Sequence, residues 1–146
     1  MTSDHADEHH RYAQYLRALA AVHDQGETDL IAAVLRDPDA TMAQSAVVKH
    51  LDDRAARLLL DERYDDWARS VITVIAEREF LSRRLREWGL LRAISLGRPW
   101  TAQEIIGASD WFQRRAAQTV ASPEALTVLA ERGRTRRVRA AALRNR

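Results

Sequence analysis

Apolar residues along this chain recur at intervals of three and four rather than two, a spacing that lines one face of an α-helix and predicts an all-α protein. Tyr12, Leu16, Leu19 and His23 mark a first helical face, and Gly26 offers the chain a place to leave that helix. Leu30, Ile31, Val34 and Leu35 form a second, which Asp37-Pro38 must end because the residue before proline disfavours helical geometry. Asp39 can cap the next helix through Met42, Ala46 and Leu51. Ala56, Leu59 and Leu60 predict a short helix and Tyr64-Asp65-Asp66 a turn. Trp67, Val71, Val74 and Ile75 then supply an amphipathic stripe that absorbs the β-branched run Val71 to Ile75.

Phe80 to Leu96 reads as one longer helix, broken by Gly97-Arg98-Pro99. Thr101 and Glu104 stand at capping-box spacing, and Trp100 and Ile105 are placed as a hydrophobic staple, so a new helix starts there. Ser109 or Asp110 can cap another, and Ser122-Pro123-Glu124 opens one with proline at the favoured first position. Gly133 closes that helix before Thr135 caps the last.

A short unit recurs within this pattern, as Ala43-Gln44-Ser45-Ala46-Val47, Ala68-Arg69-Ser70-Val71-Ile72, Phe112-Gln113-Arg114-Arg115-Ala116 and Val138-Arg139-Ala140-Ala141-Ala142. The copies start 25, 44 and 26 residues apart, a period that signals a helical solenoid. Val34, Leu59 and Leu129 stand nine residues before three of the copies, and Ile31, Ala56 and Leu126 twelve before; the copy at Phe112 departs, with Gln103 and Trp100 at those offsets. The expected organisation is one domain: a capping helix over residues 1–26, two repeat units over 27–78, an extra helix and break over 79–100, and two further units over 101–146.

The stretch from Arg114 to Arg146 resembles the leucine-rich repeat variant family, through Pro123-Glu124-Ala125-Leu126, Leu129-Ala130 and Val138-Arg139. Asp37-Pro38-Asp39 followed by Ala43-Gln44 is similar to the related HEAT repeats. The resemblance implies a right-handed α-solenoid of short helical pairs that binds other macromolecules and shares no catalytic residues. Some variant-repeat proteins carry an iron–sulfur cluster on a cysteine-containing segment, and this chain has no cysteine to hold one. In HEAT-like units the position of Gln44, Arg69, Gln113 and Arg139 forms an internal ladder to neighbouring carboxylates or carbonyls, which makes these residues structural rather than ligand-binding.

Composition narrows the chemistry. The absence of cysteine excludes disulfides, thiolate metal sites and a cysteine nucleophile. The five glycines are scattered singly and form no phosphate loop, and none of the serines stands in a nucleophile elbow. His5-Ala6-Asp7-Glu8-His9 has the letters of the inverted zinc-protease motif, but it stands near a chain end without a third ligand and reads as a solvated terminus. His50 reads as a helix-end residue. No cofactor, metal or catalytic set is expected, and the acidic, histidine-bearing start and lack of a spanning apolar stretch point to a cytoplasmic chain that does not enter a membrane.

Charge is distributed unevenly. Residues 1–66 hold 14 acidic and 7 basic side chains, and residues 67–146 hold 7 and 16. Arg114, Arg115, Arg132, Arg134, Arg136 and Arg137 are the candidate contact residues of a cationic ridge. A protein partner is the first expectation and a nucleic-acid backbone the alternative, as HEAT-like DNA glycosylases suggest by analogy. The last repeat has no polar cap after it and is placed to stack on another copy of the chain.

Overall fold

A computed structural model describes residues 2–146, with side chains from residue 6 onward. Among the described residues the protein is all-helical, with α1 Thr2–Ala21, α2 Asp24–Leu35, α3 Ala40–Leu58, α4 Tyr64–Ile75, α5 Glu79–Ser95, α6 Ala102–Ile106, α7 Asp110–Thr119, α8 Pro123–Arg132 and α9 Arg136–Asn145. None of these helices is long and apolar enough to cross a membrane. The chain forms two compact units, residues 1–85 and 86–146.

In the first unit α2 packs against α1, α3 and α4, and α1 also packs against α3. Helix α2 buries Glu27, Ile31, Val34 and Leu35, the i, i+4, i+7, i+8 stripe of a helix with one covered face. Helix α3 buries Met42, Ala43, Ala46, Val47, His50, Leu51, Ala55 and Leu58. Its start is fixed by Asp39, whose carboxylate accepts from the Met42 N–H at 3.0 Å. Asp37 holds the same loop from below: its carboxylate accepts from Arg11 Nε at 2.9 Å, the Tyr15 hydroxyl at 2.7 Å and the Asp39 N–H at 2.9 Å, tying α1 to the α2–α3 turn.

The first unit departs from the sequence expectation at three places. Helix α1 ends at Ala21, with His23 extended as the N-cap of α2, so Gly26 lies inside α2 and does not end α1. Helix α3 continues to Leu58, so Ala56 to Leu60 is no separate short helix; no glycine or proline stands between Ala40 and Leu60 to interrupt it. The turn falls instead where the Asp61 carboxylate accepts from the Arg63 N–H at 2.8 Å, and Tyr64 opens α4. Ala56 is accordingly exposed and Leu59 half-buried, whereas Ile31, Val34, Leu126 and Leu129 are buried, so the positions before the second copy of the motif differ from those before the first and the last.

The second unit follows its local signals closely. After α5 the chain leaves through Gly97 at φ 70, with the Arg98 N–H on the Ala93 carbonyl at 2.8 Å and the Gly97 N–H on the Ile94 carbonyl at 3.3 Å, a Schellman ending that favours glycine. The Thr101–Glu104 capping box is formed in both directions. Ser109, Ser122 and Thr135 each accept from the backbone N–H three residues on, capping α7, α8 and α9. The Ser109 hydroxyl and N–H also donate to the buried carboxylate of Glu87 on α5, which fixes the cap residue itself. Helix α6 packs against α8, α7 against α9, and α8 against α9. Phe112, Ala116 and Ala117 of α7 and Val138, Ala141 and Ala142 of α9 are buried, and alanine on both helices permits close approach of packed backbones.

Gly133 has the least room for a side chain among the glycines of this unit. A Cβ placed there would lie 2.5 Å from the Leu129 carbonyl oxygen and 2.7 Å from Val138 Cγ1. Gly133→Ala is therefore expected to destabilise by about 1–3 kcal/mol, the range for overpacking a filled site. Urea denaturation reads this directly, and an unchanged midpoint would show that the α8–α9 turn has room the geometry denies.

Candidate functional site

The second unit carries 12 arginines against 5 acidic residues, a net charge of +7, and no lysine. The six arginines singled out from the sequence all lie in this unit but divide into two groups. Arg114, Arg132, Arg136 and Arg137 are exposed and have no acidic partner among the described residues. Arg115 and Arg134 are engaged within the unit. The Arg115 guanidinium lies 4.5 Å from the Trp88 ring centroid and 5.8 Å from that of Trp111, and the two rings meet edge to face at 5.4 Å. The Arg134 side chain pairs with Asp110 and donates to the carbonyls of Ala108 at 2.7 Å and Ile106 at 3.2 Å, closing the end of α6.

Gln113 and Arg139, at the recurring position, both bond to backbone carbonyls of the second unit. Gln113 is 1% exposed; its amide nitrogen donates to the carbonyls of Ile105 and Ile106 at 3.0 and 3.2 Å, and its oxygen accepts from the Arg134 N–H at 2.9 Å. Arg139 donates to the Gly133 carbonyl at 2.7 Å. Arg69 instead pairs with Asp66 on an exposed face, and Gln44 is half-buried.

The first unit holds a constellation that sequence reasoning passed over. Glu27 is 3% exposed, and its Oε2 accepts from His50 Nε2 at 2.6 Å and Trp67 Nε1 at 3.1 Å, with Arg54 Nε at 3.3 Å. Helices α2, α3 and α4 thus meet on one carboxylate. Burial pushes the Glu27 carboxyl up, but the His50 and Trp67 hydrogen bonds and the Arg54 charge outweigh it and hold the group below its ordinary value. His50 is buried in mid-helix rather than at an end. The signal available in the sequence was an acid on the apolar stripe of α2, four residues before Ile31, where a charge must be paired.

Beside Glu27 opens a cleft of about 240 Å³, lined by Asp24, Arg54, Leu58, Arg63, Asp66, Trp67 and their neighbours. Arg54 spans Glu27 and Asp24, the latter at 2.8 Å from its Nη2, and Arg63 is bound through two nitrogens to Asp61 at 3.0 and 3.1 Å. Among the described residues no group of three or more histidine, aspartate or glutamate side chains is arranged to hold a metal ion. The side chain of His5, which begins the inverted zinc-protease letters, lies outside the described residues; His9 is exposed on α1.

The Asp37 carboxyl is also held well below its ordinary value. The Arg11 hydrogen bond, then those from Tyr15 and the Asp39 N–H, lower it from an ordinary 3.8 to about 2. A depressed carboxyl contributes stability that is complete above its unfolded value and lost as pH falls, here between about 4 and 2. Amide-exchange protection of α1 is expected to fall over that window in the wild type. Asp37→Asn should remove that component, and identical acid profiles for the two proteins would show that Asp37 does not hold α1.

Comparison with protein-family models, with curated proteins and with solved structures gave no match to this chain.

Proposed function

We propose that this chain is a cytoplasmic, non-enzymatic interaction module built from solenoid-type helical repeats of the leucine-rich-repeat-variant or HEAT-like kind. In this reading its basic second unit holds an acidic segment of a partner protein. The observation that carries the reading is the exposure of Arg114, Arg132, Arg136 and Arg137 without acidic partners among the described residues, in a unit of net charge +7. Guanidinium groups grip carboxylates in bidentate fashion, which suits them to an aspartate- or glutamate-rich segment. The packing of α6 on α8 and α7 on α9 supports two stacked helical pairs, as does the internal use of Gln113 and Arg139.

A nucleic-acid backbone is the second reading, favoured by the same arginines. The aromatic side chains of the unit weaken it as a single-strand binder: Trp88 and Phe112 are buried and Trp111 carries Arg115, which leaves the half-buried Trp100 to stack on a base. The deciding experiment is retention from native lysate with and without nuclease, for the wild type and for a variant with alanine at Arg114, Arg132, Arg136 and Arg137. A stoichiometric, nuclease-resistant partner retained only by the wild type is expected. Recovery of nucleic acid alone, with affinity falling steeply in salt, selects the second reading. Equal retention by the alanine variant removes this surface from both.

A further inference from the structure

A second cleft of the first unit, about 250 Å³ in volume, opens between α1 and α3. Its α1 wall is apolar, made by Leu16, Leu19 and Ala20, and its α3 wall carries Lys49, His50, Asp53 and Arg57. His50 is 6% exposed yet lines this cleft. Its Nε2 is taken up by Glu27, whereas Nδ1 has no hydrogen-bond partner among the described residues and is not shut off from solvent, so it opens toward the cleft. The Glu27 carboxylate on the far edge balances a charged ring, and Nδ1 can then present an N–H to a ligand. The cations beside it are not committed. Arg57 donates through Nε to the Asp53 carbonyl at 3.3 Å, which folds its side chain back along α3 toward His50, and it meets no acidic side chain within ion-pair distance among the described residues. Lys49 touches Asp53 in one exposed contact at 3.4 Å, a pair of the kind that contributes little. Two cations thus face one carboxylate in the lining before the ring is counted. That excess selects an anion, and the α1 wall selects one with a hydrocarbon part.

We propose that this cleft binds a small aliphatic carboxylate. The carboxylate accepts from the Arg57 guanidinium and from His50 Nδ1, and the hydrocarbon part lies along Leu16 and Leu19. The cleft's size suits a ligand smaller than the drug-sized molecules that fill larger pockets. Such a carboxylate can come from a free short-chain acid or from a glutamate side chain of another protein.

The test follows the His50 ring nitrogens by NMR in the isotope-labelled full chain, assigned by correlation to the backbone, during titration with hexanoate, n-hexylammonium and the neutral hexanamide. Hexanoate is expected to give a saturable shift, with the amine and the amide about tenfold weaker or worse. Arg57 is exposed and lies outside the Glu27 cluster, so Arg57→Ala leaves the interior intact and should weaken hexanoate binding by about tenfold. Ala20, exposed on α1, provides a second variant: Ala20→Trp fills the cleft and should abolish the shift. No saturable shift with hexanoate overturns the proposal, as does equal hexanoate binding by the wild type and either variant. Binding of hexanamide as tight as that of hexanoate also overturns it, because the apolar wall would then act alone. Comparison of hexanoate with acetyl-Gly-Glu-Gly-amide identifies the source, tighter binding of the peptide indicating a partner's side chain and tighter binding of hexanoate a free acid.

Discussion

Glu27→Ala is expected to cost about 3–5 kcal/mol of folding stability, the range for removing one partner of a buried charged cluster. The glutamate is an acceptor shared by α2, α3 and α4: the His50 ring and Trp67 indole N–H reach it from the other two helices, with Arg54 alongside. Alanine removes the acceptor but leaves the donors: the buried Trp67 N–H and His50 ring nitrogen lose their partner, while Arg54 keeps Asp24. Glu27→Gln should lose less, because an amide oxygen can still accept. The ordering of the wild type, Glu27→Gln and Glu27→Ala in urea denaturation checks the account. A loss below about 1 kcal/mol for the alanine variant would mean that water replaces the carboxylate easily and that the cluster is not buried in solution. Acid should act in the same direction as the substitution. Because the Glu27 carboxyl is held below its ordinary value, its stabilising contribution is present above that value and fades as pH falls toward the lowered one.

The two units were legible to different depths, and the difference lies in where their information is stored. In the second unit each boundary is written in one or two adjacent residues: Gly97 at the end of α5, Thr101 with Glu104, Ser109, Ser122-Pro123, Gly133 and Thr135. Local chemistry of that kind survives folding unchanged. In the first unit the apolar spacing of Ala56 and Leu59 imitated a repeat, since any amphipathic helix supplies apolar pairs three apart. With no breaker before Leu60, α3 simply ran on to Leu58. The Glu27 cluster joins residues 23 and 40 positions apart, and nothing in helical periodicity says which polar residues will meet across that distance. The recurring position was readable for Gln113 and Arg139, where a carbonyl lies close in sequence. For Arg115 and Arg134 the charge was visible but not its engagement, because that depends on Trp88 and Asp110 being brought alongside.

Trp88→Ala should be as costly in the second unit, at about 3–5 kcal/mol, because it empties the volume of a large side chain from a filled interior. Trp88 is 1% exposed and is held from two sides, by the edge of Trp111 and by the Arg115 guanidinium over its face. Its removal therefore takes away the contact area, an edge-to-face pair and the nearer aromatic support of a cation. Trp88→Phe keeps an aromatic face for Arg115 and part of the volume, so it should fall between wild type and alanine. Arg115→Ala should cost far less, of the order of 1 kcal/mol, if stacking contributes as a partly exposed cation–π contact does. A double-mutant cycle between positions 88 and 115 isolates that term. A coupling energy indistinguishable from zero would free Arg115 from the tryptophans and return it to the exposed arginines available to a partner. A coupling of about 0.5–1 kcal/mol would keep it as part of the unit's own packing and leave the contact surface to Arg114, Arg132, Arg136 and Arg137.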